Sequence, residues 1–329
     1  SHQGTSLLGE EKAPVVTWVL LVTNVLIWLA VTASGGSENP EVLLDFGAMF
    51  GPLIANGEYW RLFTAMFLHF GLLHLALNGF GLYIFGPLVE RAFGHIRFLT
   101  IYILAGLSGS VASFLFNSIS VGVGASGAIF GVLGAMAAFF VVQREVLGRM
   151  GQRNLTGVLI LAGINLVYGL TTPGIDNAAH VGGFVSGFAL GLAVAPRYSV
   201  FQAPFGTVVR PGALRSPDGR WWVIPGVVAV LVLGTWLAVI TLPDNAYYRT
   251  YVAERYLNQR DYGQAIQEID EALRLDPQWA EASYMRGKIL ADSGDVAGAR
   301  AELSRAIKLG DHQTRAKAIN LLVALDSLR

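Results

Sequence analysis

Two glycine-rich stretches carry residue types that could perform nucleophilic catalysis. Ser126 lies in GVGASGAIFG and His180 lies in NAAHVGGFVSGFALG, each within a long apolar segment. A serine hydroxyl becomes a nucleophile when an imidazole within hydrogen-bond reach accepts its proton. A lone serine in a membrane helix more often eases packing, and a lone histidine more often bonds to a carbonyl. The hypothesis of an activated serine therefore depends on the pair.

The glycines of these stretches could bring the two side chains together. Gly183, Gly187 and Gly191 follow His180 at helical spacing, and a smooth glycine stripe lets one membrane helix approach another closely. If the neighbour is the helix that begins near Ser126, hydroxyl and imidazole come within hydrogen-bond reach. An exposed backbone amide at the start of that helix could donate to an oxyanion.

A second polar pair lies on another predicted helix. His74 and Asn78 are four residues apart and therefore share one helix face. Donors aimed at one point can stabilise a developing oxyanion. The alternative is interhelical polar packing, worth under about 1 kcal/mol per bond in membranes. His69, in the preceding loop, could equally be structural.

No third member of a catalytic triad is evident, so we expect a Ser-His dyad. Asp176 precedes His180 by four residues, but its position in a short loop favours a charge at a helix start. Phe130 follows Ser126 by one helical turn. Its ring could stack on His180 and orient the imidazole in place of an acid.

The composition places these residues in a membrane. The chain is 53% hydrophobic and 14% charged, against about a quarter charged in soluble domains. A span needs about 20 largely apolar residues. The sequence predicts an all-α fold: a polytopic membrane bundle of six helices plus a seventh, followed by a small soluble helical repeat domain. The predicted spans are 15–33, 72–90, 97–116, 125–142, 155–171, 177–195 and 222–242.

The loops around the second span carry further signals. We expect residues 46–70 to form a membrane-associated loop that ends at a break near Gly71. Trp60 and Arg61 would lie at the membrane interface, with the cation snorkelling towards water. Because the chain has no cysteine, disulfides and thiol chemistry are excluded.

Loop charges predict the orientation. Arginines concentrate in the loops after spans two, four and six, whereas the other loops are mainly acidic. By the positive-inside rule the N-terminus is cytoplasmic, and seven spans place the C-terminal domain outside. The basic set is Arg91, Arg97, Arg144, Arg149, Arg153, Arg197, Arg210, Arg215 and Arg220.

The remaining chain divides into a linker and a repeat. Prolines and glycines in 196–221 predict a cytoplasmic linker without packed structure, between a core of 1–195 and the seventh helix at 222–242. In residues 246–329, YGQAIQEIDEALRLDP aligns with VAGARAELSRAIKLGD at an offset of 34 residues. This period resembles tetratricopeptide repeats, with two units and a capping helix. A simple helical hairpin is the alternative.

The motifs WR, HFGLLHLALN, GASGAIFG and AHVGGFVSG together resemble the rhomboid family of intramembrane serine proteases, over roughly residues 15 to 195. The resemblance implies Ser126 as nucleophile and His180 as general base. It also implies an oxyanion hole of His74, Asn78 and the Ser126 amide. Phe130 stands where the family has an aromatic residue beside the histidine. Structural roles are implied for Trp60, Arg61, Glu90 and Arg91.

The resemblance also implies what the protein acts on. We expect cleavage of transmembrane proteins near the outer membrane face, with no metal and no cofactor. Membrane lipid is an expected partner and nucleic acid is not. Some bacterial rhomboids similar to this chain add a seventh helix and tetratricopeptide repeats, so the expected location is the plasma (inner) membrane. The repeat domain would recruit a substrate or adaptor, or mediate self-association.

Two other functions are consistent with parts of the sequence. A non-catalytic membrane protein could hold clients through the repeats, although such proteins tend to lose the nucleophile or the base. A transporter or proton path could use His69, His74 and His180. Transporters often show repeated halves, and no such halves are visible here.

Overall fold

The computed structural model describes residues 13–196, 198–203, 206–211, 222–242, 244 and 246–327, with the two strand segments given by their backbone alone. The chain divides into two compact units, Ser1–Thr241 and Leu242–Arg329. Each unit is described by itself below.

The first unit is a helical bundle, which confirms the predicted fold class. Each of the seven predicted spans coincides with a helix, and six of these helices are long and apolar enough to cross a membrane. The helices are α1 Val15–Ala33, α2 Pro40–Asp45, α3 Gly51–Ala55, α4 Arg61–Thr64, α5 Gly71–Phe93, α6 His95–Phe116, α7 Ser126–Val142, α8 Arg144–Thr171, α9 Asn177–Val194 and α10 Val223–Ile240.

Helix α7 is the centre of the bundle. It has 17 residues, fewer than a typical span, and twelve of them are buried. Seven of its 17 residues are glycine or alanine, so other helices can approach it closely. A helix that is apolar all round is stable only when it is enclosed. The bundle therefore encloses the helix that begins at Ser126.

Glycines set the contact between α9 and α7. A Cβ on Gly183 would lie 2.8 Å from the Gly127 carbonyl carbon, and one on Gly187 would lie 2.5 Å from the Gly131 Cα. Neither position has room for a side chain. The glycine stripe after His180 therefore packs on the helix that begins at Ser126.

Three predictions about the connecting segments were incomplete or wrong. The predicted loop 46–70 contains α3, α4 and a 3-10 turn at Ala65–Phe67, although α5 does begin at Gly71, whose φ is +72°. The fifth span is longer than 155–171, because a second helical segment joins it across a break at Gly148. The predicted linker contains an antiparallel hairpin, β1 Tyr198–Ala203 and β2 Gly206–Pro211.

The seventh span packs on the core. Gly234 of α10 faces Val111 of α6, where an added Cβ would lie 2.8 Å from the valine side chain. Half of the α10 residues are exposed in the protein alone, and its only buried residue is Ala238. This apolar surface suits contact with lipid.

The described residues of the second unit form five helices: α11 Ala246–Asn258, α12 Tyr262–Leu275, α13 Ala280–Ser293, α14 Val296–Leu309 and α15 His312–Ser327. Asp261 and Asp295, 34 residues apart, are equivalent N-caps whose side chains accept from the amides of Gln264 and Gly298. The small residues of the repeat, Ala265, Ala272, Ala299 and Ala306, are fully buried between helices. The 34-residue period therefore corresponds to two helical pairs, followed by α15.

Candidate active site

Ser126 is the first residue of α7 and is half-buried. The segment that precedes Ser126 is held by backbone hydrogen bonds. Gly122 exchanges two bonds with Met49, of 2.8 and 2.9 Å, and the Gly124 amide donates to the Ala65 carbonyl at 2.9 Å. The loop before α5 thus positions the start of α7. At a helix start the first amides have no partner within the helix, so they remain available to a ligand.

His180 lies in the first turn of α9, and only 7% of it is exposed. Its ring stacks on Phe130 of α7, with centroids 4.1 Å apart and planes 5° from parallel. The Nδ1 atom is buried without a hydrogen-bond partner. The stack, rather than a carboxylate, therefore fixes the orientation of the imidazole.

Asp176 has the position expected for a helix-start charge. It is the N-cap of α9, and its carboxylate accepts from the Ala179 amide at 3.0 Å and from the Asn117 side chain at 2.9 Å. Asn117, at the end of α6, was not identified from the sequence. These bonds hold the first turn of α9, which carries His180, against α6.

Ser126 and His180 lie at the same end of two helices in close contact. Both occupy first turns, and the glycine contacts begin one residue after the serine and three after the histidine. Within the described part of the chain, no hydrogen bond joins the two side chains. In substrate-free active sites such bonds are commonly long and shorten when substrate binds.

His74 and Asn78 of α5 face the segment before the serine. A Cβ on Gly124 would lie 2.8 Å from the Nε2 of His74 and 3.9 Å from the Nδ2 of Asn78. The Asn78 amide donates to the His74 carbonyl at 3.0 Å, which fixes its rotamer. Gly124, with φ of +132°, therefore allows both polar side chains to approach the backbone beside Ser126.

His69 is more buried than a loop residue normally is. Only 1% of it is exposed, and its ring meets that of His74 edge to face at a centroid distance of 5.3 Å. Burial, reinforced by His74, lowers the pKa of His69 to about 3, so the ring is neutral. The His69 ring thus packs against His74 from the loop that precedes α5.

Arg61 differs from the prediction that it snorkels at the interface. It is 7% exposed and donates to the carbonyls of Leu44 at 2.6 Å and Ala48 at 3.0 Å, and to the Glu58 carboxylate at 2.7 Å. The exposed Trp60 ring lies 4.6 Å from the guanidinium. A buried guanidinium needs hydrogen-bond partners, and the loop carbonyls provide them. Arg61 therefore closes the loop that positions Gly124.

Glu90 of α5 connects that helix to the start of α1. Its buried carboxylate accepts from the amides of Val16 and Thr17, both at 2.8 Å, and from the Thr17 hydroxyl at 2.6 Å. It also meets His95 at 2.5 Å. The carboxylate thus caps the start of α1. Arg91 is exposed, and the described residues offer it no hydrogen bond or ion pair.

A metal centre is not indicated by the site. Among the residues that the structure describes, no group of three or more His, Asp or Glu side chains could hold an ion. The chemistry available is that of a hydroxyl, imidazoles, an amide and backbone donors.

Comparisons with known proteins match two regions of the chain. The rhomboid domain model matches residues 56–197, and a tetratricopeptide-repeat model matches residues 253–314. The putative rhomboid protease YdcA of Bacillus subtilis (strain 168) is 33% identical over 178 residues, which is 54% of this chain and 86% of that protein.

Two longer relatives share the same region. The rhomboid protease GluP of Bacillus subtilis (strain 168) is 42% identical over 187 residues, 56% of this chain and 36% of that protein. RHOMBOID-like protein 4 of Arabidopsis thaliana is 36% identical over 195 residues, 59% of this chain and 48% of that protein. The matched region spans less than half the length of these two relatives.

Proposed function

This chain belongs to the rhomboid family, and from that premise we propose that it is an intramembrane serine endopeptidase that cleaves transmembrane proteins. The observation that carries the proposal is the packing of α9 on α7. The two helices pack together through glycine contacts, and Ser126 and His180 lie in their first turns. Six helices that could cross a membrane, together with the family, make the chain a multi-pass membrane protein.

In the proposed mechanism Ser126 attacks the scissile carbonyl while His180 accepts the hydroxyl proton. We assign this transfer to Nε2, because Nδ1 is buried and has no hydrogen-bond partner among the described residues. The His180 proton then passes to the leaving amine, and water hydrolyses the acyl-enzyme by the reverse sequence. Phe130 orients the imidazole through the ring stack, so the catalytic unit is a dyad.

The oxyanion would be stabilised by the Ser126 amide and by the side chains of His74 and Asn78. Support comes from their approach to Gly124, two residues before the nucleophile. Neutral donors of this kind act on charge that appears only in the transition state. Removal of one such donor typically costs about 10²–10³ in kcat.

The substrate would be a membrane-anchored segment that unwinds near the outer face. A helix hides its carbonyls in intrahelical hydrogen bonds, so glycine or proline near small residues at the cleavage site would favour reaction. The half-buried Ser126 is consistent with a cavity that admits water. We place the N-terminus in the cytoplasm and the repeat domain outside the plasma membrane, on the basis of the arginine distribution.

The repeat domain would bind a substrate, an adaptor or a second copy of the protein. Two helical pairs form a short array, and arrays usually need about three units for stability. Deletion of residues 246–329 should reduce cleavage of some full-length substrates but leave short ones unaffected. Unchanged cleavage of every substrate would remove the recruitment role.

The test of the activity is cleavage of a single-span membrane substrate by purified protein in liposomes, together with labelling by a fluorophosphonate probe. The parent should cleave and be labelled. Ser126→Ala should do neither, and His180→Ala should lose at least about 10³-fold in rate. Cleavage by Ser126→Ala would refute the nucleophile assignment. A parent that neither cleaves nor is labelled would favour a non-catalytic client-binding protein.

A further inference from the structure

A groove lies in the half of the bundle away from the serine. It has a volume of about 390 Å³ and is lined by α5, α7 and α8. Met136, its lining residue on α7, follows Ser126 by ten residues, which is about 15 Å along the helix axis. The groove is thus separate from the candidate active site. Its volume is within the roughly 300–1,000 Å³ of small-molecule sites.

The lining of the groove has two chemical parts. The walls are apolar, formed by Phe85, Leu88, Met136, Val158 and Leu161. The remaining lining is polar and belongs to the first half of α8. It consists of Arg153, Asn154 and the bare backbone of Gly157.

Gly157 lies at an open position in the lining of the groove. A Cβ placed there would have no atom within 4 Å, so the glycine leaves space and is not required by a close helix contact. Helices α5 and α8 both pack on α7, and the groove lies between them. An apolar groove at the outer surface of a membrane bundle faces lipid rather than water.

The charge at the polar end favours an anionic occupant. Arg153 is exposed and has no ion pair or hydrogen bond with the residues that the structure describes. Arg149, on the same segment, and Arg144, just before the break at Gly148, are also exposed, and Glu145 is the only acid among residues 144–153. A leaflet rich in anionic lipid attracts such a cluster.

We propose that this groove is a binding site for an anionic phospholipid. An acyl chain lies along Phe85, Leu88 and Leu161, and the phosphate accepts hydrogen bonds from Arg153 and Asn154. The lipid fills the space between α5 and α8 and stabilises the packing of α8 on the bundle. This function does not depend on protease activity, and it can be measured without a substrate.

The experiment uses full-length protein in detergent, with Tm and native mass spectrometry as readouts. Phosphatidylglycerol should bind and raise Tm more than phosphatidylcholine. Arg153→Gln should bind phosphatidylglycerol about fivefold more weakly, the factor expected for one cation at an anionic headgroup. Arg149→Gln, on the same segment but outside the lining, is the matched control and should lose less.

A second pair of variants tests the groove itself. Gly157→Leu should fill it and abolish the effect of phosphatidylglycerol. Gly163→Leu makes the same change at another open position of α8 and should retain the effect. Equal lipid binding by Gly157→Leu and the parent would overturn the proposal. If that variant instead lost substrate cleavage but kept lipid binding, a substrate helix would be the occupant, and the lipid proposal would be wrong.

Discussion

Substitution of Gly187 by alanine tests whether helix contact sets the catalytic geometry. Its Cβ would lie 2.5 Å from the Gly131 Cα and carbonyl carbon, both of which are backbone atoms. Carbon atoms pack at about 3.5–4.0 Å, so α9 must move away from α7 by about 1 Å at this level. Neither helix can relieve the overlap by a rotamer change.

The displacement is transmitted to His180, which lies two turns before Gly187 on the same helix. A misplacement of about 1 Å in a catalytic constellation costs roughly 10²-fold in rate. We therefore expect Gly187→Ala to lower kcat/KM about 10²-fold on a membrane substrate. Overpacking should also destabilise the bundle by about 1–3 kcal/mol.

The assay separates these two effects. Cleavage and fluorophosphonate labelling are measured well below Tm, where the variant is folded. Gly163→Ala, with open space around its Cβ, is the control and should keep parental activity, with stability equal to the parent or up to about 1 kcal/mol higher. Activity of Gly187→Ala within threefold of the parent would refute the argument that close packing of α9 on α7 positions the histidine.

Three further substitutions test other contacts. Phe130→Leu removes the ring stack on His180 and should lower kcat about 2- to 10-fold with KM unchanged, as steady-state kinetics would show. A rise in KM with kcat unchanged would contradict an orienting role. Glu90→Gln weakens the cap of α1 and should cost roughly 1.5–3 kcal/mol in thermal unfolding, whereas the exposed Arg91→Gln should cost little. Asp295→Ala removes an N-cap and should destabilise the repeat unit by about 1 kcal/mol, as denaturant unfolding of the repeat transition would show.

Local patterns were enough to locate the helices and the repeat. The apolar segments predicted every long helix because a span must satisfy its backbone internally, whatever its neighbours are. The recurrence of Asp261 at Asp295 marks equivalent N-caps, which depend on a side chain and an amide three residues apart. Such features are encoded within a few residues and can therefore be read from the sequence.

The sequence identified most of the candidate site but not the residues that support it. Ser126, His180 and Phe130 were recognised because polar or aromatic residues among glycines are unusual in membrane segments. Gly124 was recognised only as part of a glycine-rich stretch, and its contact with His74 and Asn78 was not foreseen. The role of Asn117, which bonds to the cap of α9, was missed, because it acts on an element distant in the chain and has no local signal.

The amino-acid sequence by itself determined the membrane class, the positions of the seven apolar helices, the 34-residue repeat and the polar residues available for catalysis. The tertiary structure decided which helices meet. It packed α9 on α7 and buried Arg61, which donates to three loop oxygens. It also brought the carboxylate of Glu90 within hydrogen-bond distance of an amide 73 residues away. These contacts join elements far apart in the chain, and their energies depend on packing that no local periodicity records.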